Sequence, residues 1–305
     1  MALDEVDLAL LEGLRTDGRA SYETLGAKAG VSRTAARARV HRLIEDGVVN
    51  IEAIVHPAVE GIHTFAHVSI ATDGGSAPEV AAKLAELDKA PLVSLVAGRW
   101  SMIAELRTRD LGEMDVALAA VRDVPGVVSI DTTLYVDIVK DSHLPLGGTH
   151  SFEAFQLDDV DHRLLDLLRA DPRMPYADLA DAVQLSSGAT RARVLRMLRD
   201  SVVAVTGMIN ATTMGFTQMC GFQVHLADNG RSATDAVAAL PQVDFLARTL
   251  GRSDLIGTVI ATSRQDVHRT LDTIRTFPGV RTVEAWYHLD LIKEWYEPRT
   301  SAAIA

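Results

Sequence analysis

Apolar residues follow the helical period in three short blocks at the start of the chain. Within 6–14 and 22–29 they form one-sided stripes, and within 33–45 they recur at i, i+4, i+7 and i+8. The sequence Gly30-Val31-Ser32 separates the second block from the third, as a tight turn followed by a helix cap. This arrangement predicts a helix-turn-helix domain, and 48–55 then predicts a short strand.

The period changes after residue 60. Strand-like runs now alternate with two helical stripes, and a glycine-containing turn separates the second strand from the third. The predicted order is strand, helix, strand, strand, helix, strand, at 65–71, 77–87, 92–96, 102–106, 114–121 and 127–139. This is the split βαββαβ order of ferredoxin-like domains.

The whole pattern occurs twice in the chain. Residues 3–49 align without a gap on 157–203 at an offset of 154, and Pro125-Gly126-Val127 recurs as Pro278-Gly279-Val280 at an offset of 153. The chain therefore contains one duplicated unit, with a single deletion between the two ungapped stretches. The halves differ at particular positions, and those differences indicate where their roles have diverged.

The duplication predicts four domains in an α+β fold. We assign helix-turn-helix domains to 1–55 and 157–209 and ferredoxin-like domains to 62–141 and 216–296. Between the halves, 142–156 contains one proline and two adjacent glycines and shows no periodicity, which predicts a linker.

Charge is distributed unevenly along this acidic chain. The net charge is −11, yet 15–43 contains seven Lys or Arg against two acidic residues, and 169–197 contains five against three. A basic face is therefore expected at the front of each repeat, and more strongly in the first. The sequence contains no apolar run of 18 residues, so we expect no membrane partner. Cys220 is the only cysteine, which is typical of a cytoplasmic protein.

Five segments carry a resemblance to a known family. They are Leu3-Asp4-Glu5-Val6-Asp7, Leu25-Gly26-Ala27-Lys28-Ala29-Gly30-Val31-Ser32, Arg37-Ala38-Arg39-Val40-His41-Arg42-Leu43, Asp46-Gly47-Val48-Val49 and Pro125-Gly126-Val127. In this order and spacing the chain resembles the Lrp/AsnC, or feast/famine, transcription regulators. The resemblance implies two winged-helix-like helix-turn-helix domains alternating with two ferredoxin-like domains of the RAM or ACT type. The tandem fusion is unusual, because the family commonly has one unit per chain.

The resemblance implies that double-stranded DNA is the partner and that the third helix of each unit enters its major groove. Arginine suits such contacts, because its fork can bind a guanine edge or a phosphate with two hydrogen bonds. The implied contacts are Ser32, Arg33, Thr34, Arg37, His41 and Arg42 in the first unit, and Ser186, Ser187, Thr190, Arg191 and Arg196 in the second. For Arg39 and Arg193 two roles stay open, a DNA contact and a structural tie between helices.

The second unit departs from the pattern at three positions. Gln184 replaces Gly30 in the turn, Ser201 replaces Gly47, and Gly188 is expected to interrupt the third helix. A residue other than glycine in a left-handed turn costs about 1 kcal/mol, and a glycine inside a helix costs a similar amount. We therefore expect the second helix-turn-helix to bind DNA more weakly, or to serve partly as scaffold.

In the family, the βαββαβ domain binds a small effector, commonly an amino acid, at a glycine turn followed by an aromatic residue and an Asp. Each half keeps only part of this signature. The implied effector residues are Gly98, Trp100, Ser101 and Thr132 in the first half and Gly251, Ser253 and Asp254 in the second. A composite pocket, drifted recognition and ordinary turns between strands are the three interpretations that stay open.

Other functions are less well supported by the residues. His56, His63 and His67 do not have helical metal-ligand spacing, so we predict no metal site and no cofactor. The alternative function is that of siroheme decarboxylases, which are enzymes built on the same two-domain plan. Their aromatic, Asn- and Trp-containing stretch does not occur at 64–70 or at 218–224. We therefore predict a regulator rather than an enzyme.

The duplication also predicts how the halves assemble. We expect the two sheet domains to pair as a covalent pseudo-dimer, so that the two reading domains need not recognise identical half-sites. Further association of these pseudo-dimers into homo-oligomers through their sheets is a second expectation.

Overall fold

The computed structural model describes residues 3–73, 77–142, 156–209, 218–227 and 230–294. These residues form two compact units. The head unit contains described residues 3–59 and 156–209, and the sheet unit contains 60–142, 218–227 and 230–294. Apart from Ser142 and Gln156, the predicted linker at 142–156 lies outside the described residues.

The two halves of the chain contain the same elements in the same order. The first half has α1 (Glu5–Thr16), α2 (Tyr22–Ala29), α3 (Arg33–Glu45), β1 (Val49–Val55), β2 (Thr64–Thr72), α4 (Ala77–Ala85), β3 (Leu92–Ala97), β4 (Met102–Thr108), α5 (Leu111–Arg122) and β5 (Val127–Asp141). The second half has α6 (Asp159–Ala170), α7 (Tyr176–Val183), α8 (Ser187–Arg199), β6 (Val203–Ile209), β7 (Gln218–Leu226), α9 (Arg231–Ala238), β8 (Val243–Leu250), β9 (Leu255–Ala261), α10 (Arg264–Thr276) and β10 (Val280–Glu294). The predicted α+β fold is confirmed. Within the described residues, no helix is both long and apolar enough to cross a membrane.

Side-chain caps fix where the helices of the head unit begin. Asp4 caps α1 and Asp158 caps α6, each in a reciprocal capping box with an aspartate three residues later. The recognition helices α3 and α8 are capped by Ser32 and Ser186. We call α1–α3 with β1 head 1, and α6–α8 with β6 head 2.

The two heads share one antiparallel ribbon. Strand β1 pairs with β6 from Val49 opposite Ile209 to Val55 opposite Val203, a register that is unchanged when the two halves are exchanged. Ile209 of β6 packs against the core of head 1, and Ala53 of β1 is buried in the core of head 2. Each head therefore contributes an apolar side chain to the core of the other.

The departures predicted for head 2 are only partly observed. Gln184 and Ser201 adopt left-handed φ values of 57° and 56°, close to the 70° and 66° of their counterparts Gly30 and Gly47. The predicted interruption at Gly188 is wrong, because α8 continues without a break from Ser187 to Arg199. Gly188 lies in the first turn of that helix, beside the Ser186 cap.

The sheet unit is a closed eight-stranded barrel in the order β10-β3-β4-β2-β5-β8-β9-β7. Each half contributes four strands in the ferredoxin-like order, and the halves join where β5 pairs with β8 and β10 pairs with β3. Leu134 opposite Leu250 and Tyr287 opposite Ala97 are equivalent positions in the two junctions. The two sheet domains are thus paired as the pseudo-dimer that the duplication predicts.

Two apolar cores lie between the barrel wall and its helices. On β2, Ala66, Val68 and Ile70 are fully buried in the core that includes residues of α4 and α5. Because side chains alternate along a strand, Phe65, His67 and Ser69 face the barrel interior. The second half has the same layering, with Phe222 and Val224 of β7 facing the helices.

Candidate nucleic-acid interface and effector turns

Head 1 presents an exposed cationic face on α3. Ser32, Arg33, Thr34, Arg37 and His41 are all exposed. The hydroxyl of Ser32 accepts the backbone N–H of Ala35 at 3.2 Å, so this side chain is already used as a helix cap. Within the described parts of the chain, Arg33 and Arg37 form no ion pair. Their guanidinium groups are therefore available for phosphate or base contacts.

Two other arginines of α3 attach this helix to α1. Nη1 of Arg39 lies 2.6 Å from Asp4 and 2.9 Å from Asp7, and Nη2 of Arg42 lies 2.7 Å from Asp7. Asp7 is only 2% exposed, and its two arginine partners compensate for the burial of its carboxylate. The hydrogen bond from Arg39 is the largest cause that lowers the pKa of Asp4. The geometry therefore supports the structural role for Arg39, and a DNA contact of Arg42 stays a prediction.

Head 2 repeats the same arginine–aspartate network. Arg193 lies 2.7 Å from Asp158 and 2.9 Å from Asp161, and Arg196 lies 2.5 Å from Asp161. Arg193 thus has the structural role of Arg39. Arg196, which was predicted to contact DNA, is half-buried and bound to a buried carboxylate. Its DNA contact also stays a prediction.

The prediction that Thr190 contacts DNA is wrong. Thr190 is the counterpart of Ala36 and is fully buried under α8, and its hydroxyl has no hydrogen-bond partner in the described structure. The inward-facing position of the helix needs a small apolar residue, and the extra hydroxyl of Thr190 is simply buried there. Ser186, Ser187 and Arg191 are exposed and stay candidates.

The two recognition faces differ in the charge left after internal pairing. Within 22–43 of head 1, the charged residues outside the arginine–aspartate network are three cations and one acid, which gives a net charge of +2. In 176–197 of head 2 they are one cation against two acids, which gives −1. Ser187 replaces Arg33 and Ala182 replaces Lys28. Only head 1 therefore retains a cationic face.

The two predicted effector turns pack against the opposite half of the barrel. A Cβ added at Gly98 would lie 3.3 Å from Cβ of Trp286 on β10. A Cβ added at Gly251 would lie 3.2 Å from Cα of Thr133 and 3.3 Å from the carbonyl oxygen of Thr132 on β5. Thr133 and Trp286 are counterparts, so the two contacts are equivalent. These close approaches explain the glycine in each turn.

The structure therefore separates the predicted effector residues into two places. Thr132 joins Gly251, Ser253 and Asp254 at one turn, and the turn with Gly98, Trp100 and Ser101 lies at the other. Each turn lies against the last strand of the opposite half, so residues of both halves meet at each place. Effector binding by these residues stays a prediction.

Some of these side chains already have internal partners. Oγ of Ser101 accepts the N–H of Thr72 at 3.4 Å, and Oδ2 of Asp254 accepts the N–H of Leu226 at 2.7 Å. Both bonds are to the end of the first strand of the same domain, so these equivalent residues hold their turns in place. Ser253 differs, because its hydroxyl is buried without a hydrogen-bond partner among the described residues. Trp100 is half-buried beneath the guanidinium of Arg99.

The barrel interior contains a buried polar cluster that the sequence analysis missed. Nε of Arg107 lies 2.6 Å from Glu105, and the hydroxyl of Tyr135 donates to Glu105 at 3.5 Å. Burial raises the pKa of Tyr135 well above its usual value. Alternating polar residues in β2 and β4 were the available signal. They are typical of a solvent-facing side, and only closure of the barrel turns that side inward.

Two histidines also lie inside the barrel. Burial, with a smaller contribution from His288, lowers the pKa of His67 to about 3, and burial lowers the pKa of His288 to about 4. His67 hydrogen-bonds Ser69 at 3.2 Å, and Nδ1 of His288 hydrogen-bonds Ser94 at 2.8 Å. Both rings are therefore neutral near pH 7. Among the described residues, no three His, Cys, Asp or Glu side chains are grouped to hold a metal ion.

Family models match most of the chain, once per half. The AsnC-type helix-turn-helix domain matches 3–44 and 157–198, and the Lrp/AsnC ligand binding domain matches 65–145 and 219–297. An uncharacterized HTH-type transcriptional regulator of Pyrococcus abyssi is 30% identical over 140 residues, which are 45% of this chain and 89% of the relative. The HTH-type transcriptional regulator FL11 of the same organism is 27% identical over 148 residues, which are 48% of this chain and 98% of the relative. Each relative thus has the length of about one half of this chain.

A solved structure matches both halves together. The siroheme decarboxylase NirDL superimposes with a TM-score of 0.68 over 96% of this chain and 93% of that chain, at 12% sequence identity. At this identity the similarity shows the fold alone.

Proposed function

This chain belongs to the Lrp/AsnC family, and on that basis we propose that it is a transcriptional regulator that binds double-stranded DNA through its recognition helices. The observation that carries the proposal is the exposed face of α3, where Arg33 and Arg37 have no ion-pair partner in the described structure. A helix with free arginines behind a helix-turn-helix turn is suited to the major groove. As a proposed DNA-binding regulator, we place it in the cytoplasm.

Head 1 provides most of the binding free energy in this proposal. After internal pairing its face carries +2, whereas the face of head 2 carries −1. DNA affinity depends largely on the number of phosphates that cations neutralise. A single chain therefore reads an asymmetric site, in which one half-site contributes more than the other.

Salt-dependent DNA binding tests this proposal directly. The matched variants are Arg37→Ala in head 1 and Arg191→Ala in head 2, with Arg122→Ala in the sheet unit as the control. Fluorescence anisotropy with fragments of the source genome would measure affinity between 50 and 200 mM salt. We expect Arg37→Ala to weaken binding by about 1–3 kcal/mol and to reduce the salt slope by about 1.

The other two variants define the asymmetry. Arg191→Ala should weaken binding less than Arg37→Ala, and Arg122→Ala should leave it unchanged. Equal losses in both heads would contradict the asymmetric site. If no genomic fragment is bound in a salt-sensitive way, the regulator proposal fails altogether.

The sheet unit is proposed to bind a small effector of the amino-acid class. The ligand-binding family model covers both ferredoxin-like halves, and each glycine turn adjoins the last strand of the opposite half. Ser253 is the residue best suited to a mutational test. Its buried hydroxyl has no hydrogen-bond partner among the described residues, so it is available to bind a ligand.

A thermal-shift screen against the amino acids tests this site. A ligand present at 100 times its Kd adds about 2.7 kcal/mol of stability. Ser253→Ala should remove that increase and leave the melting temperature of the ligand-free protein unchanged or higher. Ser142→Ala, a substitution elsewhere in the sheet unit, is the control. A full ligand response in Ser253→Ala would exclude this turn as the site.

Further association of the pseudo-dimers remains part of the proposal. Val136 and Leu289 are counterparts in the last strands of the two halves, and they are 53% and 67% exposed. Apolar side chains at equivalent exposed positions suit a symmetric contact between chains. Sedimentation velocity at micromolar concentration should show more than one chain per particle, and a strict monomer would exclude this association.

We do not assign an enzymatic activity to the chain. The decarboxylase similarity is one of fold at 12% identity, and the named relatives are regulators. Incubation with siroheme should therefore leave its absorbance spectrum unchanged and release no carbon dioxide. Release of carbon dioxide would establish the enzyme instead.

A further inference from the structure

Arg19 of head 1 reaches across to head 2. It lies in the loop between α1 and α2, and its guanidinium donates to the carbonyl oxygens of Pro172 at 2.6 Å and Met174 at 2.7 Å. The same guanidinium lies 4.9 Å from the ring centroid of Tyr176 in head 2. One side chain therefore makes two charge-assisted hydrogen bonds and a cation–π contact with the other head.

Arg173 makes the same contacts in the opposite direction. It is the counterpart of Arg19 in the loop between α6 and α7, and it donates to the carbonyl oxygens of Gly18 and Ala20, both at 2.8 Å. Its guanidinium lies 4.9 Å from the ring centroid of Tyr22. We call this reciprocal pair of contacts the arginine clamp.

The clamp adjoins the ribbon that also joins the heads, because the N–H of Gly18 donates to the carbonyl oxygen of Val205 on β6 at 2.8 Å. Strands β1 and β6 form a two-stranded ribbon, and two-stranded ribbons twist easily. Contacts between the loops at 17–20 and 171–174 extend the attachment beyond the ribbon, so they restrict the rotation of one head against the other.

The clamp is connected to the recognition helices through α2 and α7. Its loops lead directly into α2 and α7, which pack against α3 and α8. A change in the loop contact therefore moves the whole reading face of each head. Since both arginines are half-buried and engaged with carbonyl groups, they are not DNA contacts themselves.

We infer that Arg19 and Arg173 are positioning residues that fix the distance between the two recognition helices, and so select the spacing between the half-sites that one chain can read. The inference rests on the proposed DNA-binding function for its consequence, but not for its geometry. Lysine cannot replace either arginine, because an ammonium group is a point charge that lacks the planar fork needed to bind two carbonyls and stack on a ring.

Distances between spin labels test the geometry without DNA. Cys220 is the only native cysteine, so Cys220→Ser leaves a background for labels at Ala38→Cys and Ala192→Cys, which are equivalent exposed positions on α3 and α8. Pulsed electron paramagnetic resonance on the full chain should give one narrow distance distribution. Adding Arg19→Lys and Arg173→Lys together should broaden it at least twofold, with the circular dichroism spectrum unchanged.

The control is Arg199→Lys, which changes an exposed arginine of head 2 whose ion pair within the described residues is with its neighbour Asp200. It should leave the distribution narrow. A distribution that stays narrow in the double lysine variant would overturn the inference. Broadening in the Arg199→Lys control would do so as well, because the clamp would then have no specific effect.

Selection of bound sequences from a random duplex library tests the consequence. The native chain should enrich two elements at one spacing, and the double lysine variant should enrich the same elements at several spacings. A single unchanged spacing would overturn the inference. If nothing is enriched by either protein, the proposed function fails, and the spin-label distances still decide whether the clamp fixes the heads.

Discussion

Glycine at either of two turn positions in head 2 should stabilise the head unit. Gln184 and Ser201 have φ values of 57° and 56°, where an L side chain costs about 1 kcal/mol relative to glycine. Their counterparts Gly30 and Gly47 have the same conformation, and no atom lies within 4 Å of a Cβ added at either one. The cost of a side chain at these turns is therefore one of backbone conformation, with no clash added.

The conformational cost at these turns sets the sign and size of the stability change on substitution. Gln184→Gly and Ser201→Gly should each raise the free energy of unfolding of the head unit by about 1 kcal/mol, and Gly30→Ala should lower it by a similar amount. For a unit of this size, 1 kcal/mol corresponds to about 4 °C in the melting temperature.

Two probes separate the head unit from the rest of the chain. Circular dichroism at 222 nm follows the helices of both units, whereas tryptophan fluorescence excludes the head unit, because its described residues contain no tryptophan. The fluorescence transition should stay unchanged in all three variants. A loss of stability in Gln184→Gly or Ser201→Gly would refute the reasoning, since it would require stabilising side-chain contacts at these turns.

Three further predictions concern buried groups. In thermal melts, Thr190→Val should raise the stability of the head unit by about 1 kcal/mol, because the hydroxyl of Thr190 is buried without a partner in the described structure. The control Thr234→Val removes a 2.8 Å hydrogen bond and should lower stability. His67 and His288 have folded pKa values of about 3 and about 4, below 6.5 in the unfolded chain. Stability should therefore fall between pH 6.5 and 4 by about 1.4 kcal/mol per histidine per pH unit, and His67→Gln should reduce this slope in urea titrations. Gly221→Ala should lower the free energy of unfolding of the barrel by about 1–3 kcal/mol in the same titrations, because an added Cβ would overlap the indole of Trp286.

Local patterns predicted the elements and their order well. Caps such as Asp4 and Ser32 lie where the helices begin, and the periods that predicted helix or strand correspond to observed elements in both halves. Duplication helped, because each pattern could be read twice. Capping and periodicity are local properties, so a single sequence contains them in full.

Side-chain roles were less predictable, because they depend on which elements meet. Arg42 has the residue type and the helix position expected of a phosphate contact. Its guanidinium nevertheless binds Asp7, which lies 35 residues earlier. Arg19 showed no sign of its contacts, since its partners are in the other half of the chain. Thr190 looked like a polar residue on an exposed helix, and only the packing of α8 shows that it faces inward.

The packing of the barrel interior favours pairing of the two different halves over pairing of two identical ones. In the second half Trp286 lies opposite Gly221, which leaves room for its indole, whereas the equivalent pair in the first half is Thr133 opposite His67. The ring of His67 lies 5.4 Å from that of Trp286, so the indole packs against one residue from each half. Two copies of the first half would contain no indole here, and two copies of the second would contain two. Close packing in a barrel interior tolerates neither the void nor the excess, so divergence after duplication has made pairing within one chain the favoured arrangement.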